Sequence, residues 1–362
     1  MSTRSEAAPG DRARTAHRVG WRWSRRPILV GLAILTVVSV VVAIGLGPVG
    51  VTAPTVLSII GHYTIGVPEV ADWARTDDAI IWEVRLPRVL LGAIVGAALG
   101  VVGTTLQALV RNPLAEPYII GVSAGASAGA ATAILFGVGS WLGGESVSIM
   151  AFLGALGALA LVLTLARSTG RITPSRMIVA GVAVGYLLSA VTSLLILIAD
   201  NTEGARAVVF WLLGSLANAD WSTLPIGYLG MGAGMVLVFW WRRRLDLLAL
   251  GDETALASGV DPERTRLVLV VVVALCVGFA VSLSGGIGFV GLAAPHIARR
   301  IVGPIHRHLV PASAALGAII LIWADVAARM ALQPRELPIG VVTGVLGAPV
   351  LVALVRKLPY NN

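Results

Sequence analysis

The sequence predicts an all-α, polytopic membrane protein of about ten transmembrane helices, and three observations carry that reading. Of the 362 residues 57% are hydrophobic and only 13% charged, with a mean hydropathy of +0.87. A soluble domain with so few charges would have little to solvate its surface. Apolar runs long enough to cross ~30 Å of hydrocarbon, at ~1.5 Å of rise per residue, recur along the chain. The 42 glycines fall mostly inside those runs, where small residues let helices pack closely in lipid.

Residues 1–26 carry Arg4, Arg12, Arg14, Arg18, Arg22, Arg25 and Arg26 and little apolar content. They read as an Arg-rich cytoplasmic tail, with Trp21 and Trp23 at the interface, ahead of a single transmembrane domain over 27–362. The run from 28 to about 47 exceeds the ~7–15-residue core of a signal peptide and reads as a retained first helix. Further spans are expected at 88–110, 117–137, 147–166, 176–199, 222–241, 267–283, 287–302, 309–328 and 338–355. The run at 287–302 is short and contains Pro295 and His296. The connection 48–84, with His62, Glu69, Asp72, Asp77 and Asp78, predicts a small surface loop.

Charge orients the bundle. With both ends inside and ten spans, twenty-one Lys and Arg residues fall on the cytoplasmic side and six outside. The six are Arg75, Arg85, Arg88, Arg206, Arg329 and Arg335; the inside group includes Arg171, Arg356 and Lys357. The bias obeys the positive-inside rule, and the opposite orientation would invert it. Basic residues flank the spans rather than forming one stripe, so the net charge of +8 points to anionic membrane lipid and away from nucleic acid.

The chemistry of the chain is sparse. Cys276, the one cysteine, lies in an apolar run and reads as a small buried residue. His, Cys and carboxylates nowhere cluster with ligand spacing, so neither a metal site nor another cofactor is expected. A lipid-modifying enzyme would need a catalytic cluster at one interface. Secondary transporters place ionisable groups in mid-membrane, yet only His296 and Asp325 approach that position, both near span ends. A phosphate-binding loop needs lysine before Ser or Thr, and the one lysine, Lys357, precedes Leu358. Transport would therefore be passive or powered by another polypeptide. The small-residue run GVSAGASAGA at 121–130 suits helix packing or the lining of a path, and His296 is expected to be a hydrogen-bonded structural residue.

Five segments carry a resemblance. They are RLPRVLLGAIVGAALGVVGTTLQALVRNPLAEPYIIGVSAGASAG at 85–129, FWLLGSL at 210–216, LALGDETALASGVDPERTR at 248–266, GGIGFVGLAAPHIARRIVG at 285–303 and ELPIGVVTGVLGAP at 336–349. In that order they resemble the FecCD-type permeases, the membrane subunits of ABC importers for iron siderophores, haem and vitamin B12. The resemblance runs from about residue 28 to the C-terminus. It implies the type II ABC importer permease fold in a bacterial plasma membrane and a non-enzymatic subunit. The implied partners are a second permease subunit (identical or different), separate ABC ATPase subunits and an external substrate-binding protein. Ferric siderophore is the implied cargo, with haem or cobalamin as the alternative within the family and a secondary transporter as the alternative outside it.

The resemblance also implies roles for particular residues. Arg85, Arg88 and Arg329 match arginines that dock the binding protein, a task suited to guanidinium groups because they bind carboxylates bidentately. The plain readings are a snorkelling pair for Arg85 and Arg88 and an i, i+4 partner of Asp325 for Arg329. Gly251, Asp252, Glu253, Leu256, Gly259 and Val260 match an element that couples to the ATPase. There Asp252 can cap a short helix, Gly259 can end it, and Pro262 prevents its continuation. Asn112 and Leu114 match one side of a cytoplasmic gate, and Thr173 and Ser175 the other. Pro113 and Pro117 also make 111–117 a sharp structural turn.

Overall fold

A computed structural model describes residues 25–167, 170 and 172–355. The tail residues Arg4, Arg12, Arg14, Arg18, Trp21, Arg22 and Trp23, together with Arg171, Arg356 and Lys357, lie outside the described residues. Among the described residues fifteen α-helices follow in order. They are α1 (Arg26–Gly45), α2 (Ala53–Ile65), α3 (Arg75–Asp78), α4 (Leu86–Leu109), α5 (Val122–Phe136), α6 (Ser146–Arg167), α7 (Pro174–Ile198) and α8 (Thr202–Leu212). Then come α9 (Leu224–Trp240), α10 (Arg242–Leu250), α11 (Asp252–Ala257), α12 (Pro262–Ser284), α13 (Val290–Val302), α14 (His306–Met330) and α15 (Ile339–Val355).

Each of the ten apolar runs lies on a helix. Among the described residues, six helical stretches are long and apolar enough to cross a membrane: α1, Arg75–Leu109, Ser140–Arg167, α7, α12 and α14. Helices α9 and α10 form a further candidate if counted together, bent by 59°. The short helices have local causes. Pro117 opens only a 3-10 turn to Ile120, and Gly121 in the left-handed region resets the chain before α5. Helix α13 is 13 residues long and carries Arg299 and Arg300.

Residues 48–84 are not the plain loop the sequence suggests. Thr52 accepts the Thr55 amide to start α2, and left-handed Gly66 ends it. Helix α3 then runs through a π-helical stretch (Ala79–Arg85) into α4. Tyr63 and Trp73 both donate to Asp78, closing the excursion on itself. Helix α8, likewise absent from the expected spans, starts where Asn201 accepts the Glu203 and Gly204 amides.

Helix α4 is buried along nearly its whole length. Its approach to α14 is backbone on backbone: a Cβ on Gly96 would fall on the Gly317 carbonyl, and one on Gly100 on the Ser313 carbonyl. Gly103 meets Gly291 of α13 in the same way, and Gly125 of α5 meets Gly154 of α6. Close approach of this kind lets dispersion and packing hold helices together where lipid removes any hydrophobic drive. Cys276 is buried against Met231 and Gly234, as its apolar setting implies.

Candidate functional site

At one end of the bundle the N-terminus of α4 meets the C-terminal ends of α1 and α14. Arg85 donates to the carbonyls of Ile44 (3.2 Å), Gly45 (3.3 Å) and Val49. Carbonyls at a helix C-terminus lack partners within the helix and attract cations. Arg329 donates to the Ala43 and Leu46 carbonyls and pairs with Asp325 one turn earlier at 3.0 Å. Asp325 also takes Arg88 Nε at 2.9 Å, while Arg88 Nη1 reaches Glu336, likewise at 2.9 Å. Arg85, Arg88 and Arg329 are only 4%, 5% and 3% exposed. All three guanidinium groups are engaged inside the chain, and the i, i+4 pair is one strand of a network. The half-exposed member is Glu336, which the sequence did not single out.

The other end holds the gate and coupling residues. Asn112 is exposed, and its Oδ1 accepts the Leu114 amide at 2.9 Å, fixing the turn after α4. Arg111, just before it, takes a left-handed conformation (φ 52°). Thr173 caps α7 by accepting the Arg176 amide, and Ser175 is exposed on the first turn. Helix α11 exists as expected, but Asp252 does not cap it; Gly251 occupies the cap position without a side-chain bond. The Asp252 carboxylate is drawn instead to two guanidinium groups, Arg266 at 2.9 Å and Arg111. Charge-assisted bonds of this kind are about twice as strong as neutral ones.

The far end of α11 follows a Schellman geometry. Gly259 is left-handed (φ 76°), its amide bonds the Leu256 carbonyl, and the Val260 amide reaches back to Ala255. Ala255 and Val260 pack into the main core. Leu256, 57% exposed, and exposed Glu253 face outward.

Three cavities lie between these ends among the described residues. The first, about 640 Å³, lies beside Glu336 and is walled by α8, the end of α12 and polar loop residues such as Ser215 and Asn218. The second, about 300 Å³, continues along Leu212, Leu213 and Gly286 to Phe289. The third, about 420 Å³, shares Tyr118 with the second and runs along Ser123, Ser127, Gly185 and Ser189. The small-residue run thus both lines a cavity and packs on α6. The cavities also carry four carboxylates: Glu145, Asp220 and Glu336 in the first and Glu116 in the second. None of the described lining residues is Lys, Arg or His. The Ser222 hydroxyl, with the Ser222 and Thr223 amides, holds the Asp220 carboxyl below the usual carboxylate range.

Glu116 also accepts the amide of Phe289, a left-handed non-glycine residue (φ 66°) that starts α13. At a sequence separation of 173 residues, no local pattern could have exposed the pair. His296 differs from expectation: its buried Nε2 has no hydrogen-bond partner among the described residues.

A multi-pass bundle of apolar helices, with cavities inside it and a charged network at each end, has the build of a membrane permease. Residues 17–357 match the FecCD transport family. The chain is 41% identical over 286 residues to the vitamin B12 import system permease of Vibrio cholerae, covering 79% of this chain and 85% of that one. It is 39% identical to the hemin transport system permease of Yersinia pestis (78% and 85% covered). With the iron(3+)-hydroxamate import system permease of Bacillus subtilis it shares 35% identity (91% and 83% covered). A solved inward-facing metal-chelate type ABC transporter superposes with a TM-score of 0.80 at 33% identity, over 92% of this chain and all of that chain. The chain belongs to the FecCD transport family, the membrane-spanning permease subunits of ABC importers.

Proposed function

We propose that this permease imports an iron chelate, specifically a neutral or cationic ferric siderophore of the hydroxamate type. The observation that supports the choice is the first cavity, where Glu145 and Asp220 have no ion-pair partner among the described residues and no cation lines the wall, Glu336 being offset by Arg88. An anionic chelate entering it would meet like charge at reduced dielectric, where repulsion is stronger than in water. A neutral or cationic one would not. Relatives named for ferric hydroxamate, hemin and vitamin B12 keep the choice within one class of bulky metal complexes.

The test is uptake into proteoliposomes holding the permease with its ATPase and binding protein. Ferric hydroxamate should accumulate on ATP addition, and ferric citrate should not. Preferential uptake of ferric citrate, haem or cobalamin would overturn the cargo assignment. Uptake that ignores ATP and collapses with the proton gradient would overturn the ABC reading itself.

In this reading both termini lie in the cytoplasm and lipid surrounds the bundle. A second permease subunit completes the path, and ATPase subunits engage α11. The binding protein docks over the end that holds Arg85, Arg88 and Arg329. Because those guanidinium groups are internally engaged, a docking carboxylate takes the place of Glu336 on Arg88. Glu336→Gln should therefore raise binding-protein affinity for the nanodisc-held complex by weakening the internal competitor. Unchanged or weaker binding would remove Arg88 from the docking contact.

A further inference from the structure

We propose that one carboxylate, Asp252, ties the ATPase-facing helix to both loops of the gate. The proposal rests on the coupling and gate reading given above and names the atoms that would carry it. Toward the first gate loop, Asp252 Oδ1 accepts Arg111 Nη2, and Arg111 immediately precedes Asn112. Arg111 Nε also holds the Leu248 carbonyl at 3.1 Å, so this side chain spans from α10 to α11.

Toward the second gate loop, the same Oδ1 accepts Arg266 Nη2 at 2.9 Å. Arg266 Nη1 donates to the Ile172 carbonyl at 3.2 Å, and Ile172 immediately precedes Thr173. The Ile172 amide is held from the other side by Glu263 Oε1 at 3.4 Å. Ile172 is therefore gripped at both its backbone groups by the first turns of α12.

The burial pattern gives the link its direction. Arg266 is 1% exposed and Ile172 2%, whereas the Asp252 and Arg111 side chains are 40% and 38% exposed. A displacement of α11 that drew Asp252 away would leave a buried guanidinium without its counter-ion, a costly state. Arg266 must follow, and the Ile172 carbonyl with it, or the helix must stay in place. Arg111 follows on the other branch. One carboxylate oxygen thus joins two gate loops to a single mechanical input.

The branching makes a prediction that a merely structural role does not. In the permease–ATPase complex held in nanodiscs, thiol-labelling rates are measured at Leu114→Cys and, separately, at Ser175→Cys, without nucleotide and with ATP plus vanadate. Cys276 is buried and contributes little background. With the link intact, nucleotide should change both rates, by about tenfold if the coupling lies within the usual range for such networks. Arg111→Gln should abolish the nucleotide response at position 114 and leave that at position 175. Asp252→Asn should abolish both, and Asp252→Glu, which keeps the carboxylate, should retain part of each.

A nucleotide response at both positions in Asp252→Asn overturns the proposal. So does loss of both responses in Arg111→Gln. Arg111→Gln alters a half-exposed side chain and keeps the test decisive if Asp252→Asn folds poorly. The underlying reading fails separately: Leu256→Asp would then leave both the ATPase association and the labelling responses as in the parent.

Discussion

Replacing Asp325 with alanine should cost the folded permease about 3–5 kcal/mol, the usual penalty for removing one partner of a buried ion pair. The carboxylate lies between Arg88 at 2.9 Å and Arg329 at 3.0 Å, all three nearly inaccessible. Without it, two buried guanidinium groups face each other with only Glu336 and backbone carbonyls to offset them. Such a loss approaches the whole stability of an ordinary domain. The measurement is the monodisperse fraction after detergent extraction, with thermal unfolding of what survives. Arg88→Glu should fail in the same way by placing a second carboxylate beside Asp325. The expectation for docking changes accordingly: charge reversal at these arginines disrupts folding before it reports on a partner. A wild-type yield and melting midpoint for Asp325→Ala would mean the network is dispensable.

Leu256→Asp should strip the ATPase subunits from the complex. Leu256 stands exposed on a six-residue helix whose two ends are pinned, by Asp252 to Arg111 and Arg266 and by the Gly259 turn. A rigid apolar side chain presented this way fits the pattern of an interface anchor, whose loss costs about 2 kcal/mol or more. That corresponds to a fall in affinity of about thirtyfold, before the cost of burying the new carboxylate. Co-purification of the ATPase measures it directly, with permease yield as the folding check. Undiminished association would place the ATPase contact elsewhere.

Six of the expected spans were legible from apolar length alone, because lipid leaves the backbone few alternatives; the shorter α5, α13 and α15 were legible only as apolar runs. Their ends were less so. Gly121 and Arg111 reset the chain through left-handed conformations, and a hydropathy run does not register that. Helices α2 and α8 were hidden for a different reason. Both are short and lie in segments read as connections, although Thr52, Gly66 and Asn201 carried ordinary cap signals. At the site, the sequence located both charged ends but not the distant residues of the chain that their side chains bind. Arg88 finds Glu336 at a separation of 248 residues, and Arg111 finds Asp252 at 141. Local spacing contains no record of such pairs. Asp325 with Arg329 was the exception, since four residues along a helix is a contact the chain itself dictates.

The glycine contacts between α4 and α14, and between α5 and α6, set a limit on how this protein can be engineered. Glycine-to-alanine exchange is a common route to thermostable variants, because it removes freedom from the unfolded chain. At Gly96, Gly100, Gly125, Gly154 and Gly317 the added methyl would land on a neighbouring backbone carbonyl. Flexible side chains can rotate aside; a carbonyl within a helix cannot do so without moving the helix. Stabilising substitutions are better sought at Gly31, Gly45 and Gly157, which have open space around the Cβ direction and unremarkable φ angles.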